Sequence, residues 1–408
     1  MVTIGQMFSG VQRFLRPVRG HFSRPAWRHF QGLLVAMTVA EVYTVDRLTR
    51  LLRRGPHRTK HGEFLWQSVW DESAVLQAMA LEQLKRLYRR RGGPCYLILD
   101  ETQVLKQARR MEAVGGLYHH ATGRLGRGHT ILKACLWYRG VTIPWGSWLY
   151  VKKDQAPRLK QPFRTLVKMA ASVIRSADLP SHLRVVVLFD AYYLCRAVVR
   201  ACRAKQWHFI GVGRGNRVLW IEGQKKRLDV YGRNVLRRSG RWQAVTGYSR
   251  PQRYQLASRV GRVSRVGRVK VVFSRRRGDR RLQTLVTDDV GLGMAQIVSS
   301  YLKRWAIEVL IKDQKQHLGL GDYRVRRYRA VVRHLHLVDG AYACLTHLAL
   351  TAPGAQGRDR KTTVLRLPPV SHRKALARQL AWQQALRQVI RHSHERPVLR
   401  RLEKLLAA

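Results

Sequence analysis

Only 24 Asp and Glu stand against 78 Lys and Arg in this chain of 408 residues, so the position of each acid is informative. Asp100 follows the apolar run Cys95-Tyr96-Leu97-Ile98-Leu99, and Asp190 follows Leu183–Phe189. Such runs read as strands buried on both faces, and an open α/β sheet presents its site at the carboxyl ends of its strands. Two strands ending on an acid are therefore expected. A third acid, Glu308, sits in a helical pattern among cations. At about 100° per residue, Tyr301, Arg304, Glu308, Lys312 and Lys315 fall within roughly an 80° arc of one helix. Three carboxylates suit phosphodiester cleavage, because Mg²⁺ prefers oxygen and is held by one or two carboxylates plus phosphate. Two such ions about 3.5–4 Å apart would stabilise the attacking and leaving oxygens of an in-line displacement. The nearby cations would fix phosphates without doing chemistry. Taken alone, Glu308 fits better as part of a surface salt-bridge stripe with Arg304 and Lys312, a reading that loses ground beside two strand-end aspartates.

The elements that must position these residues fall into blocks. From Pro25 to about Arg91 the pattern is helical. Thr44 suits an N-cap for Val45–Leu52, Gly55-Pro56 breaks the chain, and runs follow around Gly62–Trp70 and Ser73–Tyr88. With Arg53, Arg54, Arg58 and Lys60 between helices, this block reads as a DNA-reading helix-turn-helix or as a plain bundle with a solvated basic loop. Past Arg91-Gly92-Gly93-Pro94 the character changes. Strands are expected up to Leu99, over Thr130–Tyr138, Val141–Val151, Leu183–Phe189 and His208–Val212. Helices are expected over Phe163–Ala177 and Tyr193–Ala204, giving an α/β layout around a mixed sheet. Gly213–Arg281 is Gly-rich and carries only Glu222, Asp229 and Asp279 as acids. There Val260, Val263, Val266 and Val269 alternate with Arg259, Arg262, Arg265 and Arg268, a rhythm that suits neither strand nor helix. An inserted β-rich basic module and a solvated basic loop region both fit. One helix is then expected from Met294 to Leu318, closed by Gly319 and Gly321, and another over Val331–Leu350. A linker over Pro353–Pro369 and a basic amphipathic helix over Arg373–Arg391 complete the chain.

An apolar fraction of 45% is that of an ordinary globular protein. A formal charge of +54 is not ordinary. Self-repulsion of this size needs a polyanion to neutralise it, and nucleic acid does so by releasing condensed counterions. An acidic membrane surface or a ribosome-like scaffold role are the alternatives. The five cysteines are scattered, with no Cys-x-x-Cys, which argues against structural zinc and disulfides and fits a reducing cytosol. No secretory signal is visible, and the apolar run Gly32–Ala40 is too short to span a bilayer. A soluble cytoplasmic protein is expected.

The spacing Tyr301-x2-Arg304-x3-Glu308-x6-Lys315 matches the Y-R-E-K signature of bacterial insertion-sequence transposases of the insertion-sequence-four family. Leu99-Asp100-Glu101-Thr102 resembles their first aspartate motif, although Glu101 stands where a second Asp is common. Val186–Tyr192 resembles the second. The resemblance, over about Ala26 to Leu350, implies an RNase-H-like catalytic core with a β-rich insertion, flanked by helical N- and C-terminal segments. The corresponding units are a helical DNA-binding domain (1–92), the core in two parts (93–212 and 285–352), the insertion (213–284), and a linker with basic helical segment (353–408). It implies cut-and-paste transposition, with Asp100, Asp190 and Glu308 as catalytic ligands of two Mg²⁺ ions, for which Mn²⁺ could substitute. Tyr301, Arg304 and Lys315 would hold DNA phosphates. Terminal inverted repeats and target DNA would be the partners, a homodimer would form on paired ends, and the protein would be nucleoid-associated. A non-catalytic DNA-binding descendant, or an RNase-H-like nuclease that cuts without joining, are the competing functions.

Overall fold

Six strands build the first part of the sheet: β1 (Cys95–Leu105), β2 (Gly115–His119), β3 (Arg124–Tyr138), β4 (Val141–Leu149), β5 (Val185–Phe189) and β6 (His208–Val212). The computed structural model describes residues 9–52, 56–90, 92–108, 110–119, 122–247, 250–352, 357–358 and 364–391. β1 pairs antiparallel with β3 and parallel with β5, β5 pairs parallel with β6, and β2 and β4 both pair with β3. This is a mixed α/β architecture around a large mixed sheet. Asp190 directly follows β5, as expected, but β1 does not end at Asp100. It runs five residues further because Thr102 and Val104 keep burying on alternate positions, while Glu101 and Gln103 stay half-buried. Asp100 therefore marks the place where β1 changes from buried on both faces to wet on one.

Side chains alternate across a strand, so the sheet has two cores. Leu97, Leu99, Val187 and Phe189 face α6 (Leu166–Ser176) and α7 (Arg196–Ala204) in the numbering that begins with the N-terminal helices α1 (Ser9–Leu15), α2 (Arg24–Val39), α3 (Val45–Arg50), α4 (Arg58–Trp66) and α5 (Glu72–Leu87). Tyr96, Ile98, Leu188 and Ile210 lie in the other core, which also takes in most of the N-terminal helices. Asp100 and Asp190 continue that second row. Thr44 and Asp71 cap α3 and α5, each accepting a bond from the backbone N–H three residues on. Arg53 and Arg54 lie outside the described residues. Arg58 pairs with Asp46 at 3.2 Å and Lys60 with Glu63 at 2.9 Å, both on the surface.

The basic insertion differs from its reading in three ways. It contains β7 (Val218–Ile221), β8 (Gln224–Arg227), α8 (Leu228–Ser239), β9 (Arg241–Val245), β10 (Gln252–Val263) and β11 (Gly267–Arg276). The helix α8 escaped notice because its apolar face is narrow, resting on Leu228, Val235 and Leu236 among arginines. The Val/Arg rhythm spans two strands and the turn between them, so no single period could fit it. That turn holds Arg265 and Gly267 at positive φ, 63° and 98°. Finally, the strands do not form a module separate from the sheet of β1–β6. β11 pairs with β12 (Gln283–Thr287), and β12 with β6, so one twelve-stranded sheet runs through both.

The helix expected over residues 294–318 is two helices, α9 (Met294–Leu302) and α10 (Trp305–His317). The break at Lys303-Arg304 is a tight turn, with Lys303 N bonded to Ser300 O and Arg304 N to Tyr301 O. α9 lies on β9–β12 and α10 on β1 and β3. Strands of a sheet rotate by about 20–25° from one to the next, so one straight helix could not follow both. Gly319 (φ 71°) and Gly321 (φ 123°) then turn the chain out of α10. α11 (Tyr328–Thr351) is apolar nearly all round and buried, packed by α2, α4, α5 and β4, as expected of a central helix. Of the expected linker, residues 353–356 and 359–363 lie outside the described residues. The rest includes a two-residue pairing of β13 (Gly357–Arg358) with β14 (Leu365–Arg366). α12 (Val370–Arg391) packs Leu376 and Leu380 on the core and leaves Leu386 exposed, while the side chains of Val389 and Ile390 lie outside the description.

Candidate active site

Arg304 is the N-cap residue of α10, and Glu308 lies in the first turn, where the helix dipole favours a negative charge. From there the Arg304 guanidinium reaches in two directions. Nη1 donates to Asp100 Oδ2 at 2.7 Å, across 204 residues of sequence, and Nη2 donates to Glu308 Oε1. One planar fork thus draws two of the three expected carboxylates together. Asp190 lies beside them in the parallel ladder: it is two residues past the Leu188–Ile98 pair, as Asp100 is. Its Oδ1 accepts from Tyr192 N at 2.9 Å, which fixes the turn after β5.

Asp100 is well buried, its side chain 18% exposed. Burial pushes its carboxyl up to about 6; Arg304 pulls it down, while the charges of Glu101 and Asp190 add to the rise. Arg304 loses hydration here, but Tyr301, Asp100 and Glu308 outweigh that and hold it firmly charged. Tyr301 is buried on α9 beside Arg304, and burial pushes its phenol up to about 12. Lys315 donates to Gln103 O at 3.0 Å, so α10 is pinned to β1 about two turns beyond Glu308. Asp100, Glu101, Thr102, Glu308, Ile311, Lys312, Lys315 and Gln316 line an open cleft of about 450 Å³.

Lys312 and Lys315 are exposed at its rim, Arg304 is committed to the carboxylates, and Tyr301 is enclosed.

Sequence reasoning passed over two sets of residues around this cleft. Glu101 alternates to the opposite face from Asp100 and accepts a bond from Tyr193 Oη. Behind Asp100 lies a closed ionic network. Lys133, the β3 partner of Asp100 in register, donates to Asp339 Oδ1 at 2.6 Å and to Ser147 Oγ at 2.7 Å. Gln314 of α10 donates to the same Asp339 oxygen at 2.7 Å, and Ser147 donates to the other. All four side chains are fully buried. Gln314 sits about 120° round α10 from Glu308, whereas Lys315 sits within about 20° of it. The network thereby fixes the rotation that aims Glu308 and Lys315 at the cleft. A Lys inside Ile131-Leu132-Lys133-Ala134-Cys135 and an Asp inside α11 are the signals that could have revealed it.

Among the described residues, no group of three or more His, Cys, Asp or Glu stands ready to hold a metal. The donor set still fits a hard cation. Asp100 and Glu308 already share one cationic group, and two carboxylates with phosphate oxygens are what Mg²⁺ usually takes. Burial and the crowding of acids that raise Asp100 are relieved by added positive charge.

No helix among the described residues is long and apolar enough to cross a membrane. All five cysteines are unpaired. No curated protein matches the chain. Residues 162–344, a little under half of the chain, match the model of a family described as the transposase DDE domain. The matched span holds Asp190, Arg304, Glu308 and Lys315, and this match supports a DDE transposase, an enzyme of nuclease and strand-transferase type.

Proposed function

We propose that the protein is a transposase of the insertion-sequence-four type, which cleaves the ends of its element and joins them to target DNA by cut-and-paste transposition. The observation that carries this reading is the Arg304 bridge, which gathers Asp100 and Glu308 beside Asp190 at the mouth of a cleft rimmed by Lys312 and Lys315. A pair of Mg²⁺ ions, or Mn²⁺ in their place, would supply charge stabilisation to the attacking and leaving oxygens. Asp100, Asp190 and Glu308 would hold them. Arg304 keeps the carboxylates together and is the group freed to grip a phosphate once other cations take its place. Lys315 is already anchored beside the cleft and sets phosphate register rather than chemistry. Tyr301 backs Arg304 and limits where its guanidinium can move.

The residue blocks 1–92 and 213–284 are assigned to DNA binding, and the blocks 93–212 and 285–352 to an RNase-H-like core. The substrate would be double-stranded DNA, engaged as a homodimer on paired ends within the nucleoid. The test is to incubate purified protein with Mg²⁺ and DNA carrying the element's terminal inverted repeats. Cleavage followed by strand transfer supports transposition. Cleavage without joining would indicate a nuclease, and binding without cleavage a non-catalytic DNA-binding protein.

A further inference from the structure

A second recess opens beyond the far end of β1. About 670 Å³ in volume, it is walled by Lys106, Arg110 and the loop after α10 that carries Asp322, Arg324 and Arg326. Four cations thus face the single carboxylate of Asp322. Arg110, Arg324 and Arg326 are exposed. Lys106 is half-buried, and its ammonium is held in place by neutral groups. It donates to Gly321 O and to Tyr323 O (2.8 Å), and lies 3.7 Å from the centre of the Tyr323 ring. Tyr323 is itself fixed, its hydroxyl bonded to His129 Nδ1 at 2.6 Å. Among the described residues, no carboxylate forms an ion pair with Lys106, Arg110, Arg324 or Arg326. A rigidly mounted ammonium in no salt bridge among the described residues, ringed by exposed guanidinium groups and facing a single carboxylate, suits an anion.

The recess lies along the same chain direction as the cleft, just past the end of β1. Asp100 and Lys106 are six residues apart along an extended strand, about 20 Å at about 3.3 Å per residue. Lys315 lies midway between them, bonded to Gln103 O. At about 3.4 Å per base pair, that reach corresponds to about six steps of duplex DNA. We infer that this recess is a phosphate-backbone seat for duplex DNA leaving the cleft, engaging it about six base pairs from the phosphate at Asp100. The occupant follows from charge complementarity and from β1 leading directly from the cleft to the recess, and the assignment rests on the DNA-processing reading above. Its contacts are to phosphates, so it positions the duplex without reading sequence.

The test uses the full chain, without divalent metal, and a random-sequence duplex of about four helical turns, titrated by anisotropy between about 50 and 200 mM KCl. Arg110→Ala, Arg324→Ala and Arg326→Ala are combined in one variant. A control variant combines Lys168→Ala, Arg175→Ala and Arg200→Ala on α6 and α7, three exposed cations over the opposite core and outside the blocks assigned to DNA binding. The recess variant is expected to bind less tightly, with its log–log salt slope flattened by about three units, one per lost phosphate contact. The control is expected to keep the wild-type slope. An unchanged slope in the recess variant overturns the inference, and so does equal flattening in both variants, which would mean that only overall charge matters. Because no cleavage is measured, the outcome is separate from that of the cleavage reading: wild-type protein that binds duplex but never cuts in Mg²⁺ would defeat that reading alone.

Discussion

Asp100 and Lys133 are register partners across β1 and β3, yet they belong to ionic clusters of opposite character. Lys133, Asp339, Ser147 and Gln314 are fully buried, and Asp339 accepts three donors. Asp100, Arg304 and Glu308 share a guanidinium at the edge of an open cleft, where their side chains keep 18%, 18% and 31% of their exposure. The first cluster is closed: every charge has its partner inside the protein, and nothing can enter. The second has more acids than cations, with Asp190 and Glu101 adding to the imbalance. A carboxylate–cation cluster becomes structural or functional according to whether its charge balance is completed from within. The closed cluster also serves the open one, since Gln314 and Glu308 ride on the same helix.

The largest expected effect comes from breaking the closed cluster. Lys133→Met strands the Asp339 carboxylate, and loss of one partner of a buried pair costs about 3–5 kcal/mol. Chemical denaturation should show this, and adding Asp339→Leu should return much of it, because a packed apolar pair can replace a buried ionic one. A double variant no more stable than the single one would mean that the network does more than neutralise itself.

Acid should bear on the closed side next. Burial holds His61, His129, His334 and His347 down to about 4. Their folded-state pKa values lie below the ordinary 6.5, so their contribution is complete above about pH 6.5 and is lost as pH falls towards about 4. Asp100 acts with the opposite sign, since its raised pKa favours the folded state in acid. Four histidines outweigh one aspartate, and stability measured across this window should fall by a few kcal/mol on acidification. A flat or rising profile would contradict their burial as neutral rings.

Breaking the open cluster should cost less. Arg304→Gln removes hydrogen bonds to two partly solvated carboxylates, worth about 1–3 kcal/mol together. The variant should also gain more from Mn²⁺ than the wild type does, since the cation no longer competes with a guanidinium. An equal rise in Tm on adding Mn²⁺ would show that the cluster does not take metal where Arg304 sits. Smallest are the charges outside both clusters. Neutralising Arg275, Arg276 and Arg277, exposed at the end of β11, should leave folding intact and flatten the salt dependence of DNA binding by up to about three units of slope. An unchanged slope would leave these arginines facing solvent.

The strands that present the acids were legible because burial on both faces writes itself as an unbroken apolar run, as in Cys95–Leu99 and Val185–Phe189. Where burial becomes one-sided the signal weakens, which is why the second half of β1 and the helix α8 were missed. The Y-R-E-K spacing located Glu308 and Arg304, although the single helix assumed for it is bent at Lys303. The Lys133–Asp339 pair joins residues 206 positions apart, and no local pattern distinguishes a lysine paired in the core from one that marks a strand edge. The continuity of the insertion with the sheet of β1–β6 was hidden for the same reason, since β6 and β12 meet only through long-range pairing.

If Asp100, Asp190 and Glu308 act as one set, Asp190, which forms no hydrogen bond or ion pair with Arg304 among the described residues, is the position whose loss speaks most plainly. The measurement is single-turnover nicking of terminal-repeat DNA in Mg²⁺ by wild type and Asp190→Asn, with DNA affinity determined alongside. Asp190→Asn is expected to bind equally or more tightly, because a negative charge near phosphate is removed, and to nick at least about a thousandfold more slowly, or about 4 kcal/mol of barrier. Nicking by Asp190→Asn at the wild-type rate would contradict their acting as one set.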